Sequence, residues 1–217
     1  MKHIKALAIL STLFVASFTQ ANEVRGFYVG AGAGSTVLND LDDSLNGPVD
    51  FIDVNTKQKV TGQMSVDSDD TTFKLIAGYQ INRIIALEAQ YTKYGDVNTT
   101  ISIKHNGQTA SPKVTSWAPE ALSFSANAGY TFNNGLRPFA ILGLSVVDVN
   151  QSVELYEDDV NSGIRYGFGL EYTPPMMNRV SVRAGYEADF FYLDSKNTYD
   201  LDDFILSSAY VSLSYKF

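Results

Sequence analysis

The sequence predicts an all-β fold, an eight-stranded antiparallel up-and-down transmembrane β-barrel with short periplasmic turns and long extracellular loops. Three observations support this prediction. From Gly26 onward, apolar and polar residues alternate with period two, as expected for a strand whose two faces meet different surroundings. The less apolar face carries mostly small residues. The connections between the alternating segments are short and long in turn, which is the pattern of a barrel that crosses a membrane.

Composition narrows the class of protein further. The chain has 217 residues, no cysteine and a formal charge of −8. The negative charge argues against a sequence-independent nucleic-acid binder, which needs a basic face to displace counterions from phosphates. Without cysteine there are no disulfides, thiolate metal sites or cysteine nucleophiles. Beyond the N-terminus no apolar run reaches the roughly 18 residues that a membrane helix requires.

The N-terminal residues 1–21 are predicted to be a cleaved signal peptide. Lys2 and Lys5 form a basic start, residues 6–17 are an apolar run, and residues 18–21 end in the small residue Ala21. This order of basic, apolar and small residues is typical of a secretory signal. Residues 22–217 then form the exported barrel domain, and one domain is expected at this length.

Eight segments carry the period-two alternation: residues 26–38, 72–81, 84–96, 120–132, 138–149, 163–173, 180–193 and 204–217. In the second segment, for example, Phe73, Leu75 and Tyr79 share one face, while Lys74 and Gly78 share the other. A soluble sandwich or lipocalin-like barrel would also alternate, but its second face would be rich in lysine and glutamate. Here glycine and serine dominate that face, as suits a narrow lumen.

The connections predict which end of the barrel faces outward. Tight turns follow the second, fourth and sixth segments, whereas the connections after the first, third, fifth and seventh are longer, most of all residues 39–71. Short turns belong in the periplasm and long loops outside, so both termini are expected in the periplasm. Lipid-facing aromatic residues then fall at the two membrane interfaces. The periplasmic level has Phe27, Tyr79, Tyr130, Phe132, Tyr172, Tyr215 and Phe217, and the outer level has Phe73, Tyr91, Phe190 and Tyr192.

Four stretches carry a family resemblance: GFYVGAGAG (26–34), AGYQINRIIALEAQYTKYGD (77–96), LRPFAILGLSV (136–146) and YGFGLEYT…VSVRAGYE. In this order they resemble the OmpA-like outer-membrane β-barrel family (outer membrane protein beta-barrel domain), whose members are eight-stranded barrels. The resemblance implies a Gram-negative outer-membrane location, with membrane lipid and lipopolysaccharide as surroundings. Because the chain ends at the barrel, the peptidoglycan-binding domain of full-length OmpA is not expected here.

The end of the chain resembles the closing-strand pattern that the outer-membrane assembly machinery reads in such proteins. The pattern alternates and ends in an aromatic residue, and the residues that carry it are Val211, Leu213, Tyr215 and Phe217. The resemblance implies that this machinery is a partner during biogenesis.

Charged residues are predicted inside the lumen. They are Lys74, Glu88, Arg165, Glu171, Arg183, Glu187 and Asp189, with Lys216 at the periplasmic mouth. Buried ions must pair or be hydrated. The sixth and seventh segments form a hairpin. If its pairing register centres the turn on Met177, Glu171 faces Arg183 and Arg165 faces Asp189. These pairs are expected to plug the lumen. The alternative is a gate that opens to admit ions.

Acidic residues cluster in three predicted loops, within residues 39–71, 154–159 and 194–203. One interpretation is capture of divalent cations, and the other is a solvated, repulsive surface. The spacing Asp67-x-Asp69-Asp70 lacks the glycine turn and final glutamate of an EF-hand loop, so no metal site is assigned.

No catalytic constellation emerges from the sequence. His105, the one histidine beyond the predicted signal peptide, lies in a predicted loop, and GxSxG and HExxH motifs are absent. Trp117 is interpreted as an interface anchor. We therefore expect a monomeric non-enzyme without cofactors, which displays acidic loops to host, phage or neighbouring cells. The alternative is a small, low-conductance porin-like channel for ions or small solutes, and a membrane hydrolase is the third hypothesis.

Overall fold

The computed structural model describes residues 25–37, 47–52, 59–68, 71–105, 108–110, 113–150, 152, 160–194 and 201–217. The predicted signal peptide lies outside these ranges, as do most of the acidic residues assigned to loops. Within the described ranges the chain is β-structure, turns and one short 3₁₀ helix, Pro175–Met177. No helix there is both long and apolar enough to cross a bilayer.

The described residues contain thirteen strands. In chain order they are β1 (Gly26–Val37), β2 (Gly47–Ile52), β3 (Lys59–Ser68), β4 (Thr71–Gln80), β5 (Ile85–Lys93), β6 (Val97–His105), β7 (Gln108–Ala110), β8 (Lys113–Trp117), β9 (Glu120–Gly129), β10 (Leu136–Asp148), β11 (Val160–Tyr172), β12 (Val180–Asp194) and β13 (Leu201–Lys216).

Eight of these strands close into one antiparallel barrel, in the order β1-β13-β12-β11-β10-β9-β5-β4, with β4 returning to β1. They correspond to the eight segments predicted from the alternation, so the predicted fold class is confirmed. The closing seam joins β1 to β13 from Tyr28 opposite Lys216 to Val37 opposite Ser207. Closure removes the unpaired strand edges, which hydrocarbon could not hydrogen-bond.

A glycine lets the seam strands approach closely. A Cβ atom added at Gly34 would lie 2.1 Å from the backbone oxygen of Ala209. No side chain fits at that distance, so residue 34 of β1 must be glycine for β13 to pack there in this register.

The two faces of the barrel wall differ as predicted. Outward residues at mid-height are large and apolar, for example Leu142, Leu144 and Phe168, and at least 62% of the surface of each is exposed. Many inward residues are small or polar and are buried, among them Ser123, Ser125 and Asn127. The outward aromatic residues of the two predicted levels all lie on the outer wall, where Tyr91 and Phe190 are half-buried and the others are exposed.

Short turns join the strands at the end of the barrel where β1 begins and β13 ends. The β4–β5 turn is an Asx turn, because Asn82 Oδ1 accepts hydrogen bonds from the backbone N–H groups of Ile84 and Ile85, both at 2.8 Å. In the β9–β10 turn, Gly135 has a φ of +86°, which favours glycine. The third turn, between β11 and β12, contains the 3₁₀ helix.

At the opposite end, three barrel strands continue beyond the rim. Strand β3 ends at Ser68 just before β4, and its pairing of Ser68 with Val97 of β6 extends the β4–β5 ladder. Strand β8 extends β9 in the same way and pairs Trp117 with Val97. With β2 beside β3 and β7 beside β6, the five strands form a second sheet. At ten residues, β3 alone spans roughly 33 Å.

This second sheet corrects the sequence analysis, which assigned residues 39–71 and the connection after the third segment to loops. Strand β3 alternates Val60, Gly62, Met64 and Val66 with polar residues, so the period-two signal was present. The acidic residues that surround it argued for a loop instead. His105, predicted to be a loop residue, ends β6 and pairs with Gln108.

A second correction concerns the last hairpin. The connection after the seventh segment was predicted to be longer than the tight turns and to cover residues 194–203. In the structure β12 extends to Asp194 and β13 begins at Leu201, so only residues 195–200 lie between them. Asp194, Asp202 and Asp203 therefore belong to strands, where Leu193 pairs with Asp202 and Tyr192 with Asp203.

Candidate functional site

The candidate site is the barrel lumen, where seven predicted charged residues lie on the inward face. The register of β11 and β12 is the predicted one, and it places Arg165 opposite Asp189 and Glu171 opposite Arg183. Lys74 comes from β4, Glu88 from β5 and Glu187 from β12. Except for Glu171, which keeps 13% of its side-chain surface, each is at most 1% exposed.

One group of charges lies toward the extracellular end. Arg165 donates from Nε to Asp189 Oδ1 at 2.9 Å and from Nη2 to Asp189 Oδ2 at 2.5 Å, which is a two-pronged arginine–carboxylate pair. Lys74 Nζ donates to Glu187 Oε2 at 2.6 Å. Arg165 Nη1 lies 3.8 Å from the same Glu187 oxygen, so the two pairs form one cluster.

A second group lies toward the periplasmic end. Arg183 Nη2 donates to Glu88 Oε1 and to Glu171 Oε2, each at 2.8 Å. Its Nε also donates to Glu171, at 3.0 Å, and its Cζ lies 4.7 Å from the centre of the Phe139 ring. Arg183 is thus held by two carboxylates and by the face of an aromatic ring.

Polar residues join the two groups and complete their hydrogen bonds. Gln90 accepts from Arg165 Nη1 at 3.3 Å and donates to Glu88 at 2.8 Å, which links the groups directly. Three tyrosine hydroxyls donate to the carboxylates: Tyr28 to Glu88 at 2.5 Å, Tyr94 to Asp189 at 2.6 Å, and Tyr210 to Glu187. Each carboxylate of the network except Glu171 therefore has a neutral donor as well as a cation.

The charges of the network are buried and paired in the barrel interior. Burying a charge costs several kcal/mol unless partners satisfy it, and here multiple hydrogen bonds do so. An eight-stranded barrel is only wide enough for its interior side chains to fill it. The fully buried residues Lys74, Glu88, Arg165 and Arg183 therefore occupy the middle of the lumen.

Above the network, an apolar cluster closes the extracellular end of the lumen. It contains Tyr94, Trp117, Ala121, Val147, Val149, Phe191 and Leu206, with Phe204 packed against it. Trp117 is 7% exposed and makes an edge contact with Phe204 at 5.9 Å between ring centres. The interpretation of Trp117 as an interface anchor is therefore wrong, because its ring packs inside the cluster.

Below the network, the lumen opens into a cavity of about 370 Å³ at the periplasmic end. Its lining includes Tyr28, Arg83, Arg137, Glu171 and Lys216. The described part of the lumen thus has an apolar cap, a charged middle and a polar vestibule that faces the periplasm.

The sequence analysis missed one lumen cation, Arg137, which is 3% exposed. It had started the fifth strand at Pro138, two residues too late, whereas β10 begins at Leu136. Alternation back from Ile141 through Phe139 would have placed Arg137 on the inward face. With Arg137 included, five cations (Lys74, Arg137, Arg165, Arg183 and Lys216) face four carboxylates in the described lumen.

The other predicted site residues lie elsewhere. Val211, Leu213, Tyr215 and Phe217 are all on the outer wall and are between 42% and 58% exposed. Of the acidic residues assigned to loops, Asp50 lies in β2 and accepts a hydrogen bond from the Thr61 hydroxyl at 2.9 Å. Among the described residues, no group of three or more histidine or acidic side chains could hold a metal ion.

Comparisons with known proteins agree on the architecture. The family model described as "Outer membrane protein beta-barrel domain" matches residues 6–217. No curated protein matches the sequence. Among solved structures, the chain resembles the neisserial surface protein NspA, with 20% identity, a TM-score of 0.47, and coverage of 88% of this chain and 97% of that one.

Two further solved structures are similar. The N-terminal β-barrel domain of OprF from Pseudomonas aeruginosa matches with 13% identity, a TM-score of 0.46, and coverage of 88% and 97% of the two chains. The outer membrane enzyme PagL matches with 12% identity, a TM-score of 0.34, and coverage of 88% and 99%. These values carry no information about what this chain binds or catalyses.

The network predicts an asymmetric response to mutation. Arg165→Met leaves Asp189 buried without its cation and should lower the free energy of unfolding by about 3–5 kcal/mol. Arg165→Met combined with Asp189→Leu removes both charges and should recover most of that loss. Urea unfolding of the refolded protein in lipid vesicles measures both.

Arg179→Met is the matched control, since Arg179 is exposed on a turn and its hydrogen bond to the Tyr215 hydroxyl is 3.5 Å long. It should change stability by no more than about 0.5 kcal/mol. Equal losses for Arg165→Met and Arg179→Met would contradict the plug.

Proposed function

Because this chain belongs to the outer membrane protein beta-barrel domain family, we propose that it is a plugged outer-membrane barrel that displays a β-sheet and acidic segments at the cell surface. Its role is contact with surface ligands of a host, a phage or a neighbouring cell, rather than transport. A rigid scaffold that holds extended connections is a common arrangement for such binding.

The observation that carries this proposal is the pair of barriers that lie one above the other in the lumen. A buried ion-pair network fills its middle, and the cluster of Tyr94, Trp117 and Phe191 covers its extracellular end. An ion that crossed the barrel would have to break charge pairs and then pass an apolar layer. Both features oppose conduction.

The competing function is a small, low-conductance channel, and one contact favours it. Arg183 binds both Glu88 and Glu171, so it could release one carboxylate while keeping the other. Such partner exchange is what a gate requires. The apolar cap above the network is the reason that we favour display.

The surface part of the proposal rests on the second sheet. Strands β3, β6 and β8 continue the barrel wall at the end opposite the short turns, where an outer-membrane barrel carries its extracellular connections. The connecting segments are rich in aspartate, and residues 39–71 contain eight aspartates against two lysines. This charge suits contact with cationic surfaces. Divalent cations could also bridge it to lipopolysaccharide phosphates.

Export and assembly complete the proposal. Residues 1–21 serve as a cleaved signal peptide, and Val211, Leu213, Tyr215 and Phe217 serve as the assembly signal on the last strand. All four of these side chains lie on the outer wall, where the assembly machinery could read them before lipid covers them. We propose a monomer without a cofactor.

We also propose that the chain is not an enzyme. The fold does not decide this question, because enzymes and non-enzymes share folds. Support comes from the lumen, whose described carboxylates are all engaged by cations or tyrosines, and from the lack of a histidine beside a nucleophile there.

Planar-bilayer recording tests the plug against the channel. The refolded wild-type protein should give no conductance steps, because the charge pairs and the apolar cap close the lumen. Protein-free detergent is the blank. Discrete steps in the wild type that change in size with Arg165→Ala, but not with Arg179→Ala, would contradict the proposal and establish the gate.

Epitope tags test the display. A tag inserted between β2 and β3 should bind antibody on intact cells, because β2 ends and β3 begins at the end of the second sheet farthest from the barrel. A tag inserted after Met176, which is 97% exposed in the β11–β12 turn, should bind only after the outer membrane is permeabilised. The reverse pattern would overturn the proposed orientation.

A further inference from the structure

At the periplasmic end of the lumen, one of the arginines has no carboxylate partner among the described residues. In the barrel register, Glu171 of β11 lies between Arg137 of β10 and Arg183 of β12. Its carboxylate turns to Arg183, with hydrogen bonds of 2.8 and 3.0 Å. Arg137, directly opposite Glu171 on the other side, forms no ion pair with a described carboxylate.

Arg137 is nevertheless buried, at 3% exposure. Its Nη2 atom reaches only two backbone oxygens at long distances, 3.4 Å to Ile84 and 3.5 Å to Asn127. Its Nε has no acceptor among the described residues. A guanidinium with so few partners is costly to bury, unless an anion completes it.

The same guanidinium lines the periplasmic cavity of about 370 Å³. Arg83 and Lys216 line that cavity too, and Glu171 is the one carboxylate among its lining residues, so the local charge balance is +2. The hydroxyl groups of Ser181 and Ser214 are also in the lining and could donate hydrogen bonds. The cavity is large enough for a small solute.

We propose that this cavity is an oxyanion site, in which the Arg137 guanidinium binds a phosphate-type anion that enters from the periplasm, with Lys216 and Arg83 contributing charge. Arginine presents paired N–H groups that match the oxygens of phosphate and carboxylate, and a net charge of +2 favours a dianion over a monoanion. The anion could be a soluble periplasmic phosphate or the headgroup of an inner-leaflet phospholipid at the barrel mouth. This site goes beyond the display function and does not depend on it.

Titration calorimetry of the refolded full chain with inorganic phosphate tests the proposal. The protein is held in a sugar-headgroup detergent, since a phosphate-bearing detergent would compete. The wild type should bind phosphate saturably, and acetate at equal ionic strength should bind more weakly. Arg137→Gln should weaken phosphate binding at least tenfold.

Two variants keep the test independent of folding. Arg83→Gln alters an exposed rim residue and should weaken binding by about two- to fivefold through lost charge. Arg179→Gln, also exposed at this end but outside the cavity lining, should stay within about twofold of the wild type. Heat-dependent gel mobility checks that each variant is folded.

Two results would overturn the site: no saturable phosphate binding by the wild type, or equal affinities for wild type and folded Arg137→Gln. Repeating the titration in bilayers separates the two sources. If phosphatidylglycerol lowers the affinity for phosphate relative to phosphatidylcholine alone, the headgroup occupies the site. If the affinity is unchanged, the natural ligand is a soluble anion.

Discussion

The narrowness of an eight-stranded lumen is the constraint on which the rest of this structure depends. Such a barrel leaves space for side chains and little else. Any charge placed inside must therefore be paired by other side chains rather than by bulk water. The pairing register of β11 and β12 meets this requirement, because it places Arg165 opposite Asp189 and Arg183 opposite Glu171. The middle of the lumen is consequently rich in polar and charged residues, and most of the large apolar residues of the barrel strands are on the outer wall.

The barrel could be predicted from sequence because its signals repeat. A strand with lipid on one side and a packed lumen on the other must alternate at every position, and eight such segments reinforce each other. The charge pairs between β11 and β12 were also predictable, because a single pairing register brings two oppositely charged pairs together. By contrast, Gln90 joins the network from β5 and Tyr94 from the residue just after β5. No single hairpin could have shown that they contact Arg165 and Asp189.

The features that the sequence analysis did not predict lie at positions where another signal outweighed the period-two alternation, or where the alternation ended. Strands β3 and β6 alternate, but aspartates around them argued for loops. Trp117 resembled an interfacial aromatic residue. As the last residue of β8, at the rim of the barrel, it instead packs against Phe191 and Leu206 in the apolar cluster. Arg137 was missed because the predicted strand began two residues late. Strand ends are the positions where period-two reasoning has least support, and they determine both mouths of this lumen.

Water access to the middle of the lumen is the most direct test of a closed barrel. The chain has no cysteine, so a single introduced cysteine is a unique label site. Ser125→Cys, inside the plug, should not react with a charged methanethiosulfonate from either side of the bilayer while the protein is folded, whereas Ser181→Cys in the periplasmic cavity should react from that side. Labelling of folded Ser125→Cys at a rate similar to that of Ser181→Cys would mean a continuous water path, and the account of a plugged barrel would be wrong.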